Sequence, residues 1–412
     1  MVKGDYQDRA RGMLVGLAVG DALGAPYEFG YTSELIKERE DEISHLHSSM
    51  MLPTGAWTDD TSMALCLADS LLEKDGYDSY DVMDKFRKWV VFGYRSFDGK
   101  PAFDVGTQTA NAIGRFHRYP VIAKDEPKTE SAGNGAIMRL APIVLAAISP
   151  NKQYDELKNN GGVSEDIKSR YRERKIKDLD LTNLTKLAVL SCRETHNSYA
   201  AEIVTEMFSI ALFTAMYAKE KSDVRYFADK CYYLENQGYD EFRIYHNHLL
   251  IERAYNADPE ELCDLGGYIV DAFAIALWGF LHSETFEDGM IKVIQLGGDT
   301  DTNAACYGQL AGAYYGYKSI PKEWRDKVQA SNELVELADK LFEMKKCPIL
   351  RTRFEDSDHF EAPDEKYESY PSELYEDQEP KINNIIKKTT EKNNIQSVSE
   401  ILKERFGKDK IK

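Results

Sequence analysis

The sequence is poor in the residues that build disulfide frameworks and zinc sites. It has 412 residues, of which 6 are cysteine and 8 are histidine, and no two cysteines form a C-x-x-C pair. Widely scattered cysteines with apolar neighbours are typical of small core residues in a reducing compartment. We therefore interpret them as buried thiols rather than as parts of a disulfide scaffold or a zinc centre.

Positive charge and long apolar runs are also scarce. Lys and Arg number 52 against 70 Asp and Glu, which gives a formal net charge of -18. Such an acidic balance argues against general affinity for nucleic acid or anionic membranes. We count no apolar run of the roughly 18 residues that a membrane span needs. The start MVKGDYQDRA lacks the basic and apolar regions of a signal peptide, so we expect a cytoplasmic protein that binds neither membranes nor nucleic acid.

Alternating strand patterns are nearly absent, whereas helical periodicity is dense, as in DTSMALCLADSLLEK and AAEIVTEMFSIALFTAMYAKE. We predict an all-α domain over residues 1–349, with charged insertions near 151–180 and 223–260. Residues 350–412 are highly charged, and we predict a disordered tail there. Ser397 and Glu400 form a capping-box pattern, which predicts a short helix over 398–406 within that tail.

Four glycines recur at four-residue intervals in the first predicted helix. Gly12, Gly16, Gly20 and Gly24 fall along one helix face, which lets another backbone pack very closely. Asp21 interrupts this apolar segment. A buried ionised carboxylate needs a partner, so we expect Asp21 to have one within the packed helices.

Two short clusters of carboxylates and hydroxyls precede predicted helices. One is TDD at 58–60 in GAWTDDTSMAL, and the other is DTDT at 299–302 in LGGDTDTNAACYG. A helix cap explains one or two oxygen side chains in each cluster, but not three. Carboxylate and hydroxyl oxygens are the ligands of Mg²⁺, Ca²⁺ and Mn²⁺, and acids that converge repel one another unless cations bind them. Together, the clusters therefore predict a cleft for two divalent cations.

Seven sequence motifs, in the family's order, resemble the ADP-ribosylglycohydrolase family, which includes the dinitrogenase-reductase-activating glycohydrolases and the J1 crystallins. The motifs are GMLVGLAVGDALGAPYEF (12–29), GAWTDDTSMAL (55–65), FDVGTQT (103–109), SAGNGAIMRLAP (131–142), THNSYAA (195–201), GGYIVDAFAIALW (266–278) and LGGDTDTNAACYGQLAGAYYG (296–316). They cover most of residues 8–320. The resemblance implies a compact all-α domain with a dinuclear metal cleft that holds two Mg²⁺ ions, or Mn²⁺ in some members.

The resemblance also implies site residues by matching position. The implied metal ligands are Thr58, Asp59, Asp60, Asp299, Asp301 and Thr302. The implied substrate contacts are Ser131, Gly133, Asn134 and His196. The glycine-rich turn by itself indicates only a place where backbone N–H groups can approach a diphosphate, and His196 could equally be a hydrogen-bonded core histidine. We expect Arg139 to pair with a core acid.

Three carboxylates are candidates for proton transfer at the anomeric carbon of the ribose. Glu28 matches the position of a gating, catalytic glutamate in family members that act on serine-linked substrates. Asp60, within the first cluster, could instead act as the base, and Asp104 in FDVG is a third candidate. A surface cap or ion pair is the alternative role for each, above all for Asp104.

The resemblance implies a Mg²⁺-dependent hydrolase that cleaves the bond between ADP-ribose and its acceptor and so reverses ADP-ribosylation. Arginine is the favoured acceptor, because GDALGAPYEF and FDVG resemble the bacterial arginine-directed members; serine is the other option. The alternatives are a non-catalytic ADP-ribose-binding or crystallin-like relative and a two-metal phosphoesterase. We expect a monomer whose partner is an ADP-ribosylated protein or a small ADP-ribose conjugate.

Overall fold

The computed structural model describes residues 3–46, 48, 52–118, 132–148, 181–224 and 256–352. The predicted insertion near 151–180, most of the one near 223–260, and the chain beyond residue 352, with its predicted helix over 398–406, lie outside the described residues. Helices form nearly all of the regular structure within the described ranges, which confirms the all-α prediction.

The described elements are fourteen α-helices, four short 3₁₀ helices and two strands. The α-helices are α1 Lys3–Gly24, α2 Ser33–Lys37, α3 Glu40–Ile43, α4 Asp59–Lys74, α5 Ser79–Phe92, α6 Thr107–Arg118, α7 Ala141–Ala147, α8 Leu181–Arg193, α9 Tyr199–Tyr217, α10 Ile269–Leu281, α11 Phe286–Ile294, α12 Thr300–Tyr315, α13 Lys322–Lys327 and α14 Ser331–Phe342. The 3₁₀ helices are Ala25–Tyr27, Asn134–Ala136, Pro259–Leu262 and Tyr317–Ser319, and the strands are β1 Tyr77–Asp78 and β2 Ile349–Arg351.

Helices α1 and α12 run antiparallel with their backbones in direct contact. The facing residues, in order along α1, are Gly12 with Gly312, Gly16 with Gly308, Gly20 with Ala304 and Gly24 with Thr300. A Cβ on any of the four α1 glycines would clash with a carbonyl oxygen of α12, so only glycine permits this approach. The glycine spacing thus predicted the packed face correctly. The pairing brings the end of α1 beside the start of α12.

The turn before α12 depends on two consecutive glycines. Gly297 has φ 75° and Gly298 has φ 73°, values that residues with a side chain rarely adopt. The N–H of Asp299 donates to the Leu265 carbonyl at 3.1 Å, and the N–H of Phe29 donates to the Gly298 carbonyl at 3.0 Å. The turn therefore joins the segment after α1, the loop before α10 and the start of α12.

Helix α9 is long and apolar and lies in the core. Its 19 residues include a window with a mean hydropathy of 1.3, enough by length and composition to cross a membrane. This corrects the expectation that no apolar run reaches that length. Because 89% of the window is buried inside the protein, and Phe208 packs on Phe273 of α10 with ring centroids 5.0 Å apart, α9 has the features of a core helix.

The two strands tie the last described residues to the helices. They pair in parallel, with Tyr77 opposite Ile349 and Asp78 opposite Arg351. Arg351 Nε also donates to Asp78 Oδ2 at 2.8 Å. The folded region therefore continues past the predicted boundary at residue 349.

Candidate functional site

Three helix ends meet at one acidic cleft. The end of α1 lies beside the first residues of α4 and α12, where the two oxygen-rich clusters are located. Thr58 Oγ1 lies 3.2 Å from Asp60 Oδ2 within its own cluster and 3.3 Å from Asp301 Oδ2 in the other. The structure thus brings together two clusters that are far apart in the sequence.

The residues at the N-cap positions of α4 and α12 do not use their side chains as caps. Thr58 precedes α4 and Asp299 precedes α12, and neither side chain accepts a hydrogen bond from its own first turn. Thr58 Oγ1 instead donates to Asp21 Oδ1 at 2.9 Å, and Asp299 Oδ2 accepts from Asn134 Nδ2 at 2.8 Å. Helix capping therefore does not account for these two side chains.

Asp21 supports the first cluster from α1. It is fully buried, and its Oδ1 accepts from the N–H and the hydroxyl of Thr58 at 2.8 and 2.9 Å. Its Oδ2 accepts from the N–H and the hydroxyl of Thr61 at 2.9 and 2.6 Å. Burial raises the pKa of Asp21 to about 6, although these donors oppose the rise. The sequence indicated that Asp21 needs a partner, but we assigned it no part in the site.

Glu28 lies with the second cluster. One carboxylate oxygen from each of Glu28, Asp299 and Asp301 lies within 4.8 Å of the other two. Asp299 and Asp301 are buried, whereas Glu28 is partly exposed at the rim. We predicted a role in proton transfer for Glu28, and the geometry also allows its carboxylate to be a third oxygen donor to a cation bound at Asp299 and Asp301.

Burial and mutual repulsion raise the pKa of the cleft carboxyls. For Glu28 the causes are burial, followed by the charges of Asp301 and Asp104. The other carboxyls whose pKa is raised by burial and neighbouring acids are Asp59, Asp60, Asp299 and Asp301. A group of buried like charges must bind protons or cations, so the electrostatics of the cleft favour a cation.

The donor atoms fit a hard divalent cation. Asp60 Oδ1 is buried and has no hydrogen-bond partner within the described part of the chain, which is costly for a carboxylate unless it meets a cation. Carboxylate and hydroxyl oxygens are the ligands that Mg²⁺ and Mn²⁺ prefer. The six predicted ligands, Thr58, Asp59, Asp60, Asp299, Asp301 and Thr302, lie around this cleft, with Glu28 within reach.

Residues 133–135, called the glycine turn below, adjoin the second cluster. The N–H of Gly133 donates to Gln108 Oε1 at 2.9 Å, and the N–H of Asn134 donates to the Gly267 carbonyl at 3.0 Å. These two N–H groups already have partners, so they are not open donors for a diphosphate. The side chain of Asn134 instead orients Asp299. Ser131, another predicted substrate contact, lies outside the described residues.

His196 lies against the glycine turn and is buried. Its Nδ1 is 2.7 Å from Thr195 Oγ1, and a Cβ on Gly135 would lie 2.7 Å from its Cε1. Burial, with a contribution from the charge of Arg139, lowers the pKa of His196 to about 3. The imidazole is therefore neutral near pH 7, and its surroundings match the alternative of a hydrogen-bonded core histidine.

Asp104 faces the cleft. It lines a small pocket together with Asp59, and its charge raises the pKa of both Asp59 and Glu28. The aromatic walls of that pocket are Trp57, Trp89, Phe97 and Phe103. Asp104 therefore contributes to the electrostatics of the cleft rather than serving as a distant surface cap.

Among the described residues, Arg139 makes no hydrogen bond to a core acid, which corrects our expectation. Its guanidinium donates to the carbonyl oxygens of Gly135 and Ser191 at 2.7 and 3.0 Å and to Thr195 Oγ1 at 2.7 Å. The Phe86 ring centroid lies 4.9 Å from Cζ. Backbone carbonyls, a hydroxyl and an aromatic face replace the carboxylate that a buried arginine usually meets.

Comparison with known proteins gives a family match over most of the chain. The model of the ADP-ribosylglycohydrolase family matches residues 3–166 and 171–348. A solved structure described as an ADP-ribosylglycohydrolase-related protein complex is similar with a TM-score of 0.62 and 32% identity, covering 83% of this chain and 99% of that chain.

Two curated relatives are similar over most of their length. ADP-ribosylarginine hydrolase Tri1 of Pseudomonas putida (strain GB-1) is 29% identical over 342 residues, covering 82% of this chain and 78% of that protein. ADP-ribosyl-dinitrogen reductase glycohydrolase of Rhodospirillum rubrum is 28% identical over 334 residues, covering 79% of this chain and 92% of that protein.

Proposed function

The chain belongs to the ADP-ribosylglycohydrolase family, and from that premise we propose a metal-dependent enzyme that removes ADP-ribose from arginine side chains. Hydrolysis of an ADP-ribose linkage is the activity that the relatives share by name. Arginine is the proposed acceptor because one of these relatives is an ADP-ribosylarginine hydrolase. The observation that carries the proposal is the meeting of two acidic clusters at the end of α1, with a buried Asp60 oxygen that lacks a hydrogen-bond partner among the described residues.

The proposed cofactors are two Mg²⁺ ions, or Mn²⁺, held by the six predicted ligands. Bound divalent ions supply charge neutralisation and polarise oxygen atoms. The chain itself provides the fixed geometry: Asp21 holds Thr58 on one side of the cleft, and Asn134 holds Asp299 on the other. This pre-formed arrangement allows the ribose to be oriented before the reaction.

The reaction breaks the bond between the anomeric carbon and the acceptor nitrogen, and a water oxygen bonds to that carbon. The departing nitrogen gains a proton, and the attacking water loses one. Glu28 is the first proposed proton carrier, because it lies at the rim next to Asp299 and Asp301 and is partly exposed. Asp60 and Asp104 are the alternative carriers, one inside the first cluster and one beside it.

The decisive experiment incubates the full chain with arginine-ADP-ribosylated and serine-ADP-ribosylated proteins, in Mg²⁺, in Mn²⁺ and in EDTA. Released ADP-ribose is measured by mass spectrometry. We expect release from the arginine-linked substrate with metal and none with EDTA. Release from the serine-linked substrate alone would overturn the acceptor assignment, and release in EDTA would overturn the metal proposal. No release from either substrate would favour the non-catalytic alternative.

A further inference from the structure

Arg139 is a fully buried cation whose described contacts include no carboxylate. Burial lowers the pKa of its guanidinium to about 10, so the group remains charged at neutral pH. Burying a charge is costly unless hydrogen bonds compensate for the lost water. An apolar side chain would fill the same volume without that cost, so the role of Arg139 lies in the groups that its donors hold in place.

The contacts of Arg139 join separate parts of the fold. One Nη donates to the Gly135 carbonyl in the glycine turn. The other Nη donates to the Ser191 carbonyl near the end of α8 and to Thr195 Oγ1 just beyond that helix. The guanidinium therefore fixes the distance between the glycine turn and the end of α8.

Thr195 connects Arg139 to His196. Thr195 Oγ1 accepts from Arg139 at 2.7 Å and lies 2.7 Å from His196 Nδ1. Thr195 Oγ1 accepts a hydrogen bond from Arg139 and keeps its own hydroxyl proton, so the geometry points to donation of that proton to Nδ1. The neutral imidazole then accepts at Nδ1 and carries its proton on Nε2.

The His196 ring in turn supports the glycine turn. A Cβ on Gly133 would lie 3.1 Å from Nε2, and a Cβ on Gly135 would lie 2.7 Å from Cε1. The ring edge thus occupies the space that side chains would need at both glycines. Asn134, between them, donates to Asp299 Oδ2 at 2.8 Å. Contacts therefore run without interruption from Arg139 to an acid of the cleft.

We propose that Arg139 is a positioning residue for hydrolysis: by binding Thr195 and the Gly135 carbonyl, it fixes the His196 tautomer and the glycine turn that holds Asn134 against Asp299. This inference rests on the proposed function, since the cleft that Asp299 belongs to is taken as the site of reaction. Removing a group that orients a metal ligand without contacting the metal typically lowers metal affinity or activity by about 10- to 100-fold.

The test compares Arg139→Met, Thr195→Val and their double variant. Both single variants should lower kcat/KM for ADP-ribose release by about 10- to 100-fold. The double variant should lose no more than the more affected single variant, because residues of one network are not additive. Arg87→Met is the matched control, since Arg87 is also buried but donates to Asp84 on its own helix. It should leave kcat/KM unchanged.

A nitrogen NMR spectrum of the imidazoles provides a readout that a purely structural role would not change. In the wild type, His196 should show an acceptor Nδ1 and a protonated Nε2, and Thr195→Val should alter that pattern. The proposal would be overturned if Arg139→Met and Thr195→Val kept the wild-type kcat/KM. It would also be overturned if their losses added up in the double variant and the His196 spectrum stayed unchanged in Thr195→Val. A third outcome against the proposal is an equal loss of kcat/KM per degree of lowered melting temperature in Arg139→Met and Arg87→Met, because the loss would then follow from lower stability.

The proposed function can fail separately. If the wild type releases no ADP-ribose from any substrate, the proposed function is wrong, and Mn²⁺ titration of the same variants still decides the role of Arg139. Weaker Mn²⁺ binding in Arg139→Met and Thr195→Val, but not in Arg87→Met, would support positioning. Equal binding in all of them would reject it.

Discussion

The two acidic clusters reach the same cleft but are supported differently. The cluster at the start of α4 is held by Asp21, a further buried acid, through Thr58 and Thr61. The cluster at the start of α12 is held by Asn134, a neutral amide. The first arrangement adds a negative charge next to the proposed ligands, and the second does not. We infer that the α4 cluster depends more on its supporting hydrogen bonds for folding, whereas the α12 cluster depends on them for orientation.

Removing one acid from either cluster should have the largest effect. We expect Asp60→Ala and Asp301→Ala each to reduce ADP-ribose release by about a thousandfold or more, because a divalent ion loses a charged ligand. Release of ADP-ribose, Mn²⁺ titration and far-ultraviolet circular dichroism check this. Asp288→Ala is the control, since Asp288 pairs with Lys292 at the surface. If either cluster tolerates the loss of its acid, the two clusters do not form one site.

The next largest effect concerns Glu28, which lies with the acids of the α12 cluster. Glu28→Gln keeps the size of the side chain but cannot carry the proton, so we expect kcat to fall by about a hundredfold or more with little change in Mn²⁺ affinity. Steady-state kinetics at saturating metal separate the two effects. A weaker affinity with normal kcat would make Glu28 a metal ligand instead of a proton carrier.

Removing one supporting hydrogen bond from each cluster tests whether the two supports have different roles. Asn134→Ala should lower kcat/KM by about 10- to 100-fold, because Asp299 loses its orienting donor. Thr61→Val should chiefly lower the free energy of unfolding, by about 1 to 3 kcal/mol, because Asp21 loses a buried donor. Kinetics and urea unfolding of both variants provide the measurement. The reverse pattern would mean that the α4 support, not the α12 support, sets the geometry of catalysis.

The smallest effect should follow removal of residues 353–412. Every residue that we place in the cleft or in its supports precedes residue 353, so kcat/KM on small ADP-ribose conjugates should remain at the wild-type value. An inactive truncated protein would show that either cluster requires the end of the chain.

The sequence was sufficient to locate the acids and the packed glycine face. Three oxygen side chains in succession at 58–60 exceed what a helix cap needs. Glycine at every fourth position of α1 predicts a single helix face without side chains. The supports were not predictable in the same way. Thr61 reaches Asp21 across 40 positions, and Asn134 reaches Asp299 across 165, so each contact depends on how whole helices pack.

Arg139 shows a different limit of sequence reasoning. Buried arginines are usually paired with acids, and this general tendency led us to expect a carboxylate partner. Its partners are instead the backbone carbonyls of Gly135 and Ser191, which every residue possesses, and the hydroxyl of Thr195. A side chain that binds main-chain oxygen leaves no trace in the identity of its partner, so no pattern in the sequence could have revealed the two carbonyl contacts.

The glycine contact between α1 and α12 also limits how the cleft can change. Bare positions recur every four residues, which corresponds to about 6 Å along a helix. A smaller slide would press a side chain onto the opposite backbone, because the facing glycines leave no space for a Cβ. The packing therefore holds the two helices in this register. The distance from Glu28 to the acids of α12 is therefore fixed by the helix packing and does not depend on a ligand.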